Sequence, residues 1–387
     1  MPTYIDRRRI FQDLITELDI PVYHYERAKD RARSLENWLL RDSSSVKQLK
    51  PEVYPQGSFR YGTVIRPIDD DGYYDLDLVV TFELSKSVAT QKQIKDLLGG
   101  EIEAYATAKQ FKEKPSEKYR CWRLNYADEV SFHMDVLPSL PNGNELKLEH
   151  TRMSVPIDLA QHEISITDMR HPSYTSICDN WFSSNPRGYA KWFEAIARGY
   201  AADRIALLLE SRAYASVDEI PSYELKTTLQ RVIQILKRHR DIHFIDDCTY
   251  APISMIITTL ATHAYQGQNA IEDALPTVVA RMPNFIKASR PRVENPVNKD
   301  EDFADKWSAD PRYESNFYLW HGQLTADIHR MLRGDSGYLI QETVEKAFDV
   351  RLSEAACGIS SDVAVVPAII SSPSPLLLSQ GPKPWGR

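Results

Sequence analysis

The sequence predicts an α+β protein in two parts, a sheet-bearing half followed by a helical half. Three observations carry this: strand-like runs cluster between about residues 50 and 140, helical segments precede them, and from Asn185 onward the apolar period becomes helical. Residues from about 5 to 48 read as helix, because Ile10, Leu14, Ile15 and Leu18, then Ala28, Ala32, Leu35, Trp38 and Leu39, recur at helical spacing. Pro21 divides this stretch into a short helix and a long one. A helix is expected around Gln91 to Leu98, and Cys121 to Tyr126 reads as a strand that pairs with Ser131 to Leu137 across Asp128-Glu129. Asn185-Pro186 opens the helical half, with Pro186 suited to a first helical position. Leu225 to Arg240 is amphipathic, with Leu229, Val232, Ile233 and Leu236 on one face, and Pro252 to Ala264 is apolar enough to be a buried helix. Asp300 to Asp310 and Asn316 to Leu332 are expected to add helices, while Trp307 and Trp320 read as core residues. The expected units are 1–184, the sheet with the N-terminal helices, 185–357, the helical lobe, and 358–387, a flexible tail rich in Val, Ala, Ser and Pro.

Composition narrows the class. The chain has 387 residues, enough for two domains, and its 42% hydrophobic and 26% charged content is that of an ordinary globular protein. No apolar run approaches the ~20 residues that a membrane span needs, and no apolar segment follows the basic N-terminus as a secretory signal would require. Cys121, Cys178, Cys248 and Cys357 lie far apart and form no Cys-x-x-Cys pair, which argues against a zinc ribbon and for a reducing cytoplasm. A net charge of −7 disfavours long nucleic acid as substrate, because phosphate neutralisation supplies most of that affinity. Small nucleotides carried in with Mg²⁺ need no overall positive charge.

The chemistry concentrates in Gln56-Gly57-Ser58, in Asp75-Leu76-Asp77, and in Asp135 within Phe132-His133-Met134-Asp135-Val136. Side chains alternate on a strand, so Asp75 and Asp77 point the same way. Three carboxylates on neighbouring strands make a hard-oxygen set suited to Mg²⁺, with room for substrate phosphates. A Gly-Ser turn beside them offers backbone N–H groups and a hydroxyl to a polyphosphate. Each piece alone has a bland alternative, since acidic residues near a turn are usually just solvated. Asp77, however, runs into Leu78-Val79-Val80, a strand that should be largely buried, and buried carboxylates are paired or bind metal. Together these are the parts of a two-metal nucleotidyl-transfer site. His239 and His243 have a metal-ligand spacing but no third ligand, and a basic helix face explains both.

These residues resemble the bacterial cGAS/DncV-like nucleotidyltransferases, the CD-NTases of cyclic-oligonucleotide antiphage (CBASS) signalling. Asn185-Pro186-Arg187-Gly188-Tyr189, Leu236-Lys237-Arg238-His239-Arg240-Asp241 and Asn295-Pro296-Val297-Asn298 support the match, which runs from about Tyr4 to Leu332. It implies a polymerase-β-like nucleotidyltransferase lobe of mixed sheet and helices, an oligoadenylate-synthetase-like α-helical lobe, and an active site in the cleft between them. Asp75 and Asp77 would hold the metal that accompanies the donor triphosphate, and with Asp135 they would hold a second; both would be Mg²⁺, with Mn²⁺ able to substitute. Gly57 and Ser58 would cradle the β and γ phosphates, Lys237 would reach the triphosphate across the cleft, and Ser254 would assist it. Tyr61 either stacks on a base or sits in a core between Phe59 and Val64. The substrates implied are ATP together with GTP or a pyrimidine NTP, and the product a cyclic di- or trinucleotide. Two other readings stay open: transfer to RNA or protein, and a catalytically silent nucleotide-binding relative. The resemblance also suggests a regulatory or ubiquitin-transfer-like operon partner acting on the end, Lys383-Pro384-Trp385-Gly386-Arg387, although Arg387 departs from a small terminal residue.

Overall fold

The structure is a computed structural model that describes residues 5–69, 72–126, 131–142, 155–199 and 226–359. Helices α1 (Arg7–Leu18) and α2 (Val22–Leu40) fall on either side of Pro21. There follow β1 (Glu52–Gln56), α3 (Gly57–Tyr61), β2 (Tyr74–Thr81), α4 (Gln91–Ala108), β3 (Ser116–Glu117), β4 (Trp122–Tyr126) and β5 (Phe132–Pro141). After α5 (Ile157–Ala160) come β6 (Ile164–Ile166) and β7 (Phe182–Ser184). Among the described residues these strands form one mixed sheet in the order β1-β2-β5-β4-β3, with β6 on the far half of β5 and β7 beside it. The central pair, β2 and β5, is parallel, while β1 and β4 flank it antiparallel. Helix α4 runs well past Leu98, its start fixed by a reciprocal cap between Thr90 and Gln93.

The period of two decides which face is which. Leu76, Leu78, Met134 and Val136 pack into a core with Tyr25, Leu35 and Leu39 of α2 and Ile94, Leu98 and Ile102 of α4. The intervening Asp75, Asp77, His133 and Asp135 therefore all lie on the opposite face.

The second core belongs to α6 (Pro186–Gly199), α7 (Thr228–His243), α8 (Ser254–Ala264), α9 (Ile271–Arg281), α10 (Pro311–Arg333), α11 (Gly337–Phe348) and α12 (Glu354–Cys357). Helix α1 joins this core rather than the sheet, through Ile10, Leu14 and Leu18, which departs from the expected 1–184 unit. The reason lies at its end, where Asp19 accepts hydrogen bonds from Lys226, Arg231 and Gln234 of the helical lobe. Asp300 to Asp310 is not a helix either: β8 (Glu294–Asn295) and β9 (Asn298–Asp302) form a short hairpin followed by a single 3₁₀ turn. The Asp302 carboxylate takes the backbone N–H groups of Val293 and Ala304, a local alternative to helical bonding. Trp307 and Trp320 are both in the core.

Helix α7 departs most from its sequence pattern. Its apolar face packs as expected, but the polar face is buried too. Gln230 donates to the carbonyl of Tyr61 at 2.8 Å, Gln234 to Val64 at 2.7 Å, Lys237 to Thr63 at 3.0 Å and Arg238 to Arg66 at 2.7 Å. These donors recur at helical spacing along one stripe, and they satisfy the carbonyls of a loop that has no strand partner there. Residues 360–387, most of the expected tail, lie outside the described residues, and no described helix is long and apolar enough to cross a membrane.

Because Gln234 is fully buried, Gln234→Leu should orphan the Val64 carbonyl and lower unfolding stability by about 1–3 kcal/mol. Urea denaturation checks this; an unchanged midpoint would mean the loop finds another donor.

Candidate active site

Asp77 stands beside Gln56 of β1 on one side and Asp135 of β5 on the other, while Asp75 stands beside His133. Asp77 is partly buried and Asp75 mostly exposed. Burial, followed by the charges of Asp135 and Asp75, pushes the Asp77 carboxyl up to about 7, against the pull of Arg123 and Lys237.

Gly57 begins α3 with φ +65°, a conformation that side-chain-bearing residues rarely adopt. A Cβ on Gly57 would lie 2.3 Å from Oδ2 of Asp77, so only glycine lets the backbone run this close to the carboxylate. Ser58 follows directly and, with Asp75 and Asp77, lines a cavity of about 300 Å³.

Lys237 and Ser254 reach the same cavity from the helical lobe. Lys237 is 7% exposed; burial and the neighbouring Arg240 push its amine down to about 8, while Asp241, Asp75 and Asp77 pull it up. Ser254 opens α8, and its hydroxyl accepts from Arg240 at 3.3 Å. A second cavity of about 300 Å³ adjoins the first and shares Gly57, Tyr61, Asp77 and Met255 with it. Its further walls include Asp135, Arg120, Asn185, Asn295 and Glu301. Asn185 caps α6 by accepting from the Gly188 N–H and donates to the Leu159 carbonyl at 2.9 Å. Burial raises the Glu301 carboxyl, which accepts from Asn295 at 2.7 Å. A larger cavity, about 690 Å³ between α7, α10 and α11, contains none of the residues singled out by the sequence as substrate-binding or catalytic.

Tyr61 is 5% exposed, but not in a core with Phe59 and Val64: its ring packs against Tyr189 and Phe193, with centroids 5.1 and 5.7 Å away, while Phe59 and Val64 belong to the core beneath the sheet, and Tyr61 lines both cavities. His239 Nε2 donates to the Asp327 carboxylate at 3.1 Å inside the helical core, so this histidine is a buried residue rather than part of an exposed basic face.

The sequence reading missed Arg123. It lies across from Asp135 on β4 and grips both of its oxygens, Nε to Oδ1 at 2.7 Å and Nη2 to Oδ2 at 2.8 Å. The signal was present in the alternation of Trp122-Arg123-Leu124, which puts Arg123 on the carboxylate face once the hairpin register is known. His133 was missed too; it stacks on Tyr73 with centroids 4.2 Å apart and lies 3.4 Å from Asp75.

The residues present fit divalent metal. The donors are hard carboxylate oxygens, and the glycine cradle against Asp77 leaves one edge of the carboxylate without side-chain cover. Among the described residues no three such groups are gathered into a ready-made cage. Asp135 is turned to Arg123 instead.

Residues 51–138, which hold Gly57, Ser58 and all three aspartates, match the family model of the DncV-like cyclic GMP-AMP synthase nucleotidyltransferase domain. A c-di-GMP synthase of Roseivirga ehrenbergii is 31% identical over 299 residues, covering 76% of this chain and 71% of that protein. Among solved structures, the Bradyrhizobium diazoefficiens CD-NTase CdnG in complex with GTP superposes with a TM-score of 0.65 at 20% identity, over 93% of this chain and 99% of that one. The Vibrio cholerae DncV cyclic AMP-GMP synthase with a linear intermediate gives 0.56 at 14% identity, over 91% and 88%. The chain belongs to the cGAS/DncV-like nucleotidyltransferases, the CD-NTases, and is a nucleotidyltransferase.

Proposed function

We propose that the enzyme joins two nucleoside triphosphates into a cyclic dinucleotide, with GTP as one substrate. The observation that carries this is the pair of adjoining cavities that share Asp77, each about 300 Å³. One is walled by Ser58 and Lys237 and suits a donor triphosphate; the other is walled by Asp135, Asn295 and Glu301 and suits an acceptor. The c-di-GMP synthase relative supports guanine as a base. Polar groups of the acceptor side, the buried Asn185 and Asn295 and the partly buried Glu301, supply the hydrogen-bonding edge that base recognition needs.

Asp75, Asp77 and Asp135 would hold two divalent cations, Mg²⁺ in this reading, which stabilise the attacking and leaving oxygens when bound. The chain's own groups bind and orient the substrates. The Gly57 backbone and Ser58 hydroxyl take phosphate oxygens, and Lys237 offsets triphosphate charge from the opposite wall. A ribose hydroxyl of the acceptor attacks the donor α-phosphate, its proton is lost, and pyrophosphate leaves. A second transfer of the same kind closes the ring. In this reading the product is a second messenger of antiphage defence, made in the cytoplasm. An operon partner that recognises residues 383–387 belongs to the same reading.

Incubation with NTPs and Mg²⁺, then phosphatase and mass spectrometry, tests the reaction: phosphatase-resistant cyclic dinucleotides are expected, and extended RNA or a nucleotidylated protein in their place would overturn it. Asp75→Asn with Asp77→Asn should abolish product while leaving the unfolding temperature unchanged or higher, because two repelling carboxylates are removed. Gly57→Ala should cut turnover at least tenfold, since its Cβ must displace the Asp77 carboxylate; steady-state kinetics with a normal circular-dichroism spectrum would register this. Lys237→Ala should weaken donor-nucleotide binding by about 10- to 100-fold, the range for losing a charged hydrogen bond. Calorimetric titration with a non-hydrolysable triphosphate measures it, and unaltered affinity would remove Lys237 from the site.

A further inference from the structure

Arg123 carries an inference that the family's reaction does not require. A polar row crosses three strands on the cleft face, from Asp75 on β2 through His133 on β5 to Arg123 on β4. Arg123 Nη1 lies 3.5 Å from His133 Nδ1, and the same nitrogen of His133 is 3.4 Å from Asp75 Oδ1. The remaining guanidinium nitrogens engage Asp135 as a fork, at 2.7 and 2.8 Å. A bidentate guanidinium–carboxylate pair is among the strongest holds one side chain can have on another. Arg123 and Asp135 are only 28% and 22% exposed, so cleft water screens the pair incompletely.

The pair does two things to the carboxylate group. It occupies both oxygens of Asp135, and it places one positive charge where a divalent ion would have to approach. The three aspartates carry −3 when ionised, and Arg123 offsets one of those charges. A triphosphate entering the cleft brings negative charge of its own and restores the attraction for a cation.

We propose that Arg123 is a positioning residue that acts as a built-in counter-cation: it competes with a divalent ion for Asp135, so that metal binding on this side of the site stays weak until nucleotide arrives. This rests on Asp75, Asp77 and Asp135 being the metal-holding group. Removing Arg123 therefore strengthens metal binding to the nucleotide-free protein. A residue that merely oriented Asp135 as a ligand would have the reverse effect when removed.

Mn²⁺ binding to the full-length, nucleotide-free protein, followed by electron paramagnetic resonance of the free ion, is the test. At low ionic strength Arg123→Gln should bind Mn²⁺ roughly tenfold more tightly, the effect of deleting a unit charge ~5 Å from a doubly charged ion in a water-like medium. The gain should vanish when Asp135→Asn is added. An Arg123→Gln protein that is folded and binds Mn²⁺ no more tightly, or more weakly, overturns the proposal. Should that variant fail to fold, Arg123→Lys, which keeps the charge but forfeits the fork, is read the same way, with a smaller tightening expected. Arg123→Gln that binds no more Mn²⁺ than the same protein with Asp75→Asn/Asp77→Asn added overturns the metal reading itself and this inference with it. Binding in wild type without tightening in the Arg123 variants overturns the inference alone.

Discussion

The stripe of side-chain donors on α7 is what the rest of the site depends on. Residues 61–66 run from the end of α3 toward β2 with carbonyls that no strand satisfies, and Gln230, Gln234, Lys237 and Arg238 supply the missing donors. A buried carbonyl without a partner is costly, so the loop and the helix fix one another. The loop fixes the end of α3, hence Gly57 and Ser58, and the helix fixes the height at which Lys237 meets the carboxylates. One set of hydrogen bonds thereby sets the width of the cleft. Lys237 belongs to both systems: its amine holds a carbonyl of one lobe while it feels the aspartates of the sheet.

Charge is balanced locally around this frame. Three aspartates share one face of the sheet, and burial first, then the charges of Asp135 and Asp75, push the Asp77 carboxyl up to about 7. Arg123 and Lys237 approach from opposite sides, one from the neighbouring strand and one from the other lobe. The active-site face thus carries its own cations, and each is tied to a protein acceptor, Asp135 for one and Thr63 for the other.

Which parts were legible in the sequence depends on how local each signal is. The common face of Asp75 and Asp77 needed only the period of two, and the pairing of β4 with β5 needed only two short strands around a turn. Arg123 required the register of that hairpin, which alternation does not specify until the turn is known. The polar stripe of α7 was not legible as a buried one, because glutamine and lysine at helical spacing look alike whether they face water or a loop of bare carbonyls. Asp300 to Asp310 had helical composition, but the Asp302 carboxylate captured the Ala304 N–H that a helix would have used, together with the N–H groups of Arg292 and Val293 across the hairpin. The allegiance of α1 was hidden for a different reason, since its helical-lobe partners lie 207 or more residues away along the chain.

That last arrangement bears on how the protein is made. Asp13 of α1 accepts from the backbone and hydroxyl of Ser353, 340 residues away, and the Ala356 carbonyl accepts from the Asp6 N–H. The sheet, α2 and α4 have their partners within one continuous stretch and can consolidate while the ribosome is still at work. Helix α1 has an apolar stripe of Ile10, Leu14 and Leu18 whose cover comes from the helical lobe, from α7 and α9 as well as α12. Cover for that stripe therefore depends on the helical lobe having formed, so α1 docks after the sheet and its own helices have consolidated.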